Sequence, residues 1–252
     1  MRNLLAAALL LSFSLFLAAC DGDTPTGSTG TTDDSFESAG TVELDNRIDR
    51  GLDRATRAYQ ITIENLTPNT GDGGSQVFSP PVLATHRAHV SLFEVGSIAS
   101  EELAGLAEDA LNGPVVAALE STRGVHSVAQ GGGVIPPGQS ATYEIEAGPS
   151  ARRLSAAFML VNTNDAFSGL AGLRLPQNGA TTVEVMAYDA GSEENSELVG
   201  EIPGPCCGSP GEGTATVEPI RAHEGIIGDA DLDPAKWGWS GAVARITVER
   251  IR

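Results

Sequence analysis

Residues 154–194 read LSAAFMLV-NTND-AFSGLAGLRL-PQNGA-TTVEVMAY-DAGSEE, and this stretch decides the fold. Leu154 to Val161 is a nearly continuous apolar run of strand length, suited to a core strand. Leu170 to Leu175 and Thr182 to Tyr188 read as further strands. Two acidic segments directly follow strand-like runs: Asn162-Thr-Asn164-Asp165 and Asp189-Ala-Gly-Ser-Glu193-Glu194. Adjacent antiparallel strands would bring both to one end of a sheet. Carboxylates converging there repel unless something positive sits between them, and a hard cation such as Ca²⁺ takes such oxygen ligands. The same segments are also ordinary turn chemistry, with Asn and Asp side chains bonding nearby backbone.

Outward from this stretch the pattern stays β. Tyr59 to Glu64, Thr142 to Glu146 and Ala244 to Arg250 alternate apolar and polar residues, as half-buried strands do. Val77 to Phe93 reads as extended segments broken at Pro80-Pro81. One excursion is helical. Ser100 caps it, Glu101 and Glu102 complement its N-terminal dipole, and Leu103, Leu106, Ala107 and Leu111 share a face. Pro114 starts a second short helix that ends by Arg123-Gly124. Gly131 to Gly133 and Pro136 to Gly138 are turns, and Gly200 to Gly213 is a long loop. With no βαβ rhythm and no internal repeat, the expectation is an all-β antiparallel sandwich with a short helical insertion.

Before the first strand the chain reads differently. Leu4 to Leu17 is apolar but too short to span a bilayer, and Leu17-Ala18-Ala19-Cys20 resembles a bacterial lipobox. That resemblance implies a leader over residues 1–19, lipid on Cys20, export, and anchoring to a membrane rather than spanning it. Residues 20–58 then form a disordered linker rich in Gly, Thr, Ser and Asp, with an average span of roughly 30 Å, and the domain occupies residues 59–252. The formal charge of −18 over 252 residues argues against nucleic acid and against docking on anionic lipid by overall charge.

With Cys20 lipidated, Cys206 and Cys207 remain, adjacent in sequence. A vicinal disulfide, free or intermolecular thiols, and a zinc site that would need His223 all stand open. Gly228-Asp229-Ala-Asp231-Leu-Asp233-Pro234 has the first spacing of an EF-hand loop but lacks its glycine and its closing glutamate, so it reads as an acidic surface loop. His86 and His89 fall on opposite faces of a strand, and His126 and His223 stand alone. No nucleophile elbow or phosphate-cradling glycine loop is present. Trp237 and Trp239 read as packing against the end of the sandwich, with a sugar-stacking pair as the alternative.

Several segments in order resemble the spondin N-terminal domain. They are Val77-Phe-Ser-Pro-Pro81, Phe93-Glu-Val-Gly96 with the helical stretch to Asp109, Phe158 to Gly169, Val185 to Glu193, and the closing Ala242 to Arg250. The resemblance implies a C2-like antiparallel β-sandwich with Ca²⁺ bound by loops at one end. It also implies an adhesion or matrix role in the animal members. Asp165, Asp189 and Glu193 match the family's acidic ligands. Glu193 stands where the family has aspartate, and Ala166 stands where it has an aromatic ring. The expectation is therefore a lipid-anchored cell-envelope protein with a non-catalytic binding module, contacting a protein or glycan. The alternatives are an enzyme acting on envelope polymer, or a purely structural domain.

Overall fold

A computed structural model describes residues 56–204, 206–207 and 213–252. The leader, Cys20 and nearly all of the linker lie outside the described residues.

Among the described residues, ten strands form two antiparallel sheets. The four-stranded sheet has the order β4-β1-β10-β7 and the six-stranded sheet β3-β2-β5-β6-β8-β9. The first sheet is built from β1 (Arg57–Asn65), β4 (Ser140–Ala147), β7 (Ala180–Val185) and β10 (Ala244–Arg250). The second contains β2 (Val82–His86), β3 (Val125–Gln130), β5 (Arg153–Met159), β6 (Ala166–Arg174), β8 (Ala187–Asp189) and β9 (Arg221–Ala222). Alternation in β1 sends Tyr59, Ile61 and Ile63 into the space between the sheets, where they meet Leu83, Ile145, Leu154, Phe158, Ile246 and Val248. The opposite face of the small sheet is polar, with threonine pairs Thr62–Thr142 and Thr182–Thr247 bonded across strands.

The larger sheet is covered on both faces. Helix α1 (Glu101–Asp109) and helix α2 (Asn112–Ser121) lay Leu103, Leu106, Ala107, Val115 and Leu119 onto Val82, Ala84, Ala157 and Phe167. This explains the nearly continuous apolar run of β5: Leu154, Ala156 and Phe158 face the sandwich while Ala157 faces the helices. Ser100 caps α1 by accepting from the Leu103 N–H (3.3 Å). Leu111, expected on the buried face, is 50 % exposed, because α1 ends at Asp109 with Ala110 left-handed. Asn112 rather than Pro114 opens α2.

Two further expectations change. Thr182 to Tyr188 is two strands, not one: β7 belongs to the small sheet and β8 to the large one, with Met186 as the crossing residue. Asp233 caps a short helix, α3 (Pro234–Trp237), by accepting from the Ala235 N–H (2.9 Å), so the two tryptophans do not share an extended strand. Trp237 is buried with Ile202, Ile226 and Leu232 at the end of the sandwich. Cys206 and Cys207 pack at the margin of that cluster, joined by a disulfide.

Candidate metal centre

The site lies where β5 turns into β6. Thr163 closes the turn: its hydroxyl donates to the Leu160 carbonyl (2.6 Å) and accepts from the Ala166 N–H (3.1 Å). Asn162 donates to the Ser75 carbonyl (2.6 Å) and accepts from the Cys206 N–H (3.1 Å), while Asn164 donates to Ser196 Oγ (3.3 Å). The asparagines therefore tie the turn to the β1–β2 connection and, at two points, to the β8–β9 connection. Asp165 follows, one residue before β6. Register then does the rest: Ala166 pairs with Asp189 in β8, so Asp165 sits against the loop that Asp189 opens.

Asp165 is fully buried. Its Oδ2 accepts from the Ser192 N–H (2.8 Å), the Ser192 hydroxyl (3.3 Å) and the Glu193 N–H (3.1 Å). Its Oδ1 is buried with no hydrogen-bond partner. Loss of water and the neighbouring charge of Asp189 push the Asp165 carboxyl up to about 6, against the bonds from Glu193 and Ser192.

Asp189 is buried too, but well supplied. Oδ1 accepts from the Gly191 N–H (2.7 Å), and Oδ2 from Asn195 Nδ2 (2.7 Å) and from Arg221 (2.8 Å). Arg221 also pairs with Glu218. Part of the positive charge expected between the loops is thus a guanidinium delivered by β9. Three donors leave Asp189 about one free acceptor direction.

Glu193 is half-buried, and its Oε1 accepts from the Gly213 N–H (2.9 Å). Desolvation, then Glu108, then Asp165 and Asp109 push its carboxyl up to about 7. Glu108 and Asp109 end α1, the negative pole of that helix. A cleft of about 350 Å³ opens beside Glu193, with Glu194, Glu197, Glu218, Glu224 and Asp229 in its wall and Arg221 as its base. Glu197 is held by backbone donors. It accepts from the Ile227, Gly228 and Asp229 N–H groups at 2.6, 2.8 and 3.2 Å, so the EF-hand-like loop holds an internal carboxylate with its backbone.

Sequence reasoning missed Arg221, Asn195, Ser192, Glu108 and Asp109. Ser192 and Asn195 lie in or beside the acidic segment, where their donors are legible. Arg221 arrives through a two-residue strand and the helix end through packing, and neither leaves a local signal. The zinc alternative falls away: the cysteines are disulfide-bonded, and His223 Nδ1 accepts from the Gly225 N–H (2.9 Å) with its ring against Trp239.

A cation fits here in one specific respect. Asp165 Oδ1 is a desolvated acceptor with nothing to accept from, beside a second carboxylate, Glu193, that the surroundings also disfavour as an anion. Among the described residues no three His, Cys, Asp or Glu side chains are grouped closely enough to hold a metal by themselves. Backbone oxygens and water would complete the shell, as they commonly do for Ca²⁺.

The Spondin_N family model matches residues 69–221, more than half of the chain, including Asp165, Asp189, Glu193 and Arg221. No curated protein matches it.

Proposed function

The chain belongs to the spondin N-terminal family, and from that premise we propose that it is a calcium-dependent, non-catalytic binding module of the cell envelope, anchored through lipid on Cys20. Asp165 Oδ1 and Glu193 would hold one Ca²⁺. Asp189 adds negative charge from behind, its oxygens already bonded to Gly191, Asn195 and Arg221. The bound ion would supply charge and fixed ligand directions. The chain's own residues do the shaping: Ser192 and Glu193 N–H groups orient Asp165, and Gly213 orients Glu193. The loop end so fixed would form the contact surface for a protein or glycan partner. The buried, unpartnered Asp165 Oδ1 carries this reading.

A hydrolase would need a nucleophile and base in reach of substrate. The best pair is Ser155 and His86, with Oγ and Nε2 2.8 Å apart. Both are fully buried, and Ser155 Oγ also accepts from the Gly172 N–H (3.0 Å). Their bonds favour a structural role, which supports the binding module over the enzyme.

Thermal melting in excess Ca²⁺ and in excess chelator tests the proposal. The wild type should melt several degrees higher in calcium, and Asp165→Asn should abolish the difference. Equal melting of the wild type in both conditions would rule calcium out.

A further inference from the structure

The end of the sandwich remote from the acidic turn carries a cluster of arginines that, among the described residues, pair with no acid. β5 runs from Arg153 toward that turn and β6 returns from it to Arg174. Arg153 and Arg174 are direct partners across the two strands, an arrangement in which like charges destabilise a sheet. His86, the next partner across from Arg153, adds no negative charge. A cavity of about 230 Å³ opens over the pair, lined by Ala88, Ser150, Arg152, Arg153 and Arg174. A much smaller cavity beside it shares Arg152 and Arg174 and adds Arg57. Neither is lined by a carboxylate.

In a chain with 33 acidic and 15 basic residues, four arginines without an acid among them need a reason. Elsewhere Arg221 is matched by Asp189 and Glu218, Arg245 by Glu64 and Glu184, and Arg252 by Glu146, while Arg250 bonds backbone oxygens; what sets this end apart is that its arginines line one cavity together. At this end the bonds go to backbone oxygens, Arg153 to Gly172 (3.1 Å) and Arg152 to Pro149 (3.0 Å). Each uses one nitrogen and leaves the rest of its donor fork free. We propose that Arg152, Arg153 and Arg174 form a binding site for a phosphate group, with the Ser150 hydroxyl as an added donor. Guanidinium forks match tetrahedral oxyanions in pairs of bonds, and an anion between Arg153 and Arg174 relieves their repulsion. The overall charge of −18 disfavours extended polyanions, which selects a single phosphate ester on a glycan or a lipid headgroup, or free phosphate.

The test is melting of the full chain at constant ionic strength, with chloride exchanged for inorganic phosphate in excess EDTA so that calcium plays no part. The wild type should gain about 3–6 °C once phosphate exceeds its Kd roughly tenfold. Arg245→Gln, outside the site, should keep that gain, and the double variant Arg153→Gln/Arg174→Gln should lose it. In chloride alone Arg174→Gln should melt no lower than wild type, since a repulsive pair has been removed. Absence of a wild-type gain, an equal gain in the double variant, or a marked loss in chloride for Arg174→Gln would each overturn the site. Co-sedimentation with phosphatidylcholine vesicles, with and without phosphatidylglycerol, identifies the source. Extra binding to phosphatidylglycerol that the double variant loses assigns the phosphate to a lipid; a phosphate response without it assigns a soluble or glycan-borne group. Failure here leaves the calcium reading untouched, because the two ends share no residue.

Discussion

Asp165 is the residue on which most turns. Its folded pKa of about 6 lies above the ordinary 3.8, so in chelator its contribution to stability is fully present below 3.8 and is lost as pH rises through 6. Asp165→Asn has no such loss. In chelator the variant should therefore gain on wild type by roughly 2–3 kcal/mol between pH 4 and 7, read from paired urea melts. In calcium the order should reverse at neutral pH. A variant that tracks wild type across the range would mean that the carboxyl is not desolvated. Arg221 offers a second lever. Removing one partner of a buried pair costs several kcal/mol, but the Arg221 side chain is 46 % exposed, so the estimate for Arg221→Gln falls to about 1–2 kcal/mol. The same change removes a competing cation. Calcium titrations monitored by melting should show Arg221→Gln less stable without calcium and more responsive to it.

At the scale of elements, the β5–β6 hairpin positions both charged ends of the molecule. A bulge opens at Ser155, where two β6 residues oppose one, and the serine hydroxyl bonds His86 and Gly172 in place of the missing ladder contact. Beyond the bulge the strands close tightly: a Cβ on Gly169 would lie 1.9 Å from the Ala156 carbonyl oxygen. Gly169→Ala should cost about 3 kcal/mol or more in chemical denaturation, and a loss under 1 kcal/mol would mean that the hairpin can shift. Much of this hairpin was legible, because β5 carries a nearly continuous apolar run and the turn is marked by Asn-Thr-Asn-Asp. The sheet change at Met186 was not. Val185 and Ala187 flank it and both face the core between the sheets, so the inward alternation runs through the crossing without a break. Leu111 misled for a related reason: helical spacing extended past a helix that ends at a left-handed Ala110.

At the scale of the whole molecule, alternation and turn chemistry give two layers, and the two acidic segments end up together as their strand context suggested. What stayed hidden is set by long-range pairing: β9 bringing Arg221 to Asp189, and the arginines of β5 and β6 gathering at the far end. The sheet order has one more consequence, in the timing of assembly. β10, the last strand, lies between β1, the first, and β7. A growing or threading chain therefore cannot complete the small sheet until residues 244–250 are free, and contacts of such sequence separation form slowly. The small sheet should stay open until residues 244–250 are available to pair. A chain stopped at residue 243 would leave β1 paired only with β4 and β7 with nothing in its sheet. Pulse proteolysis should find that chain fully degraded while the chain through residue 252 survives, and equal survival would show that the sheet closes without β10.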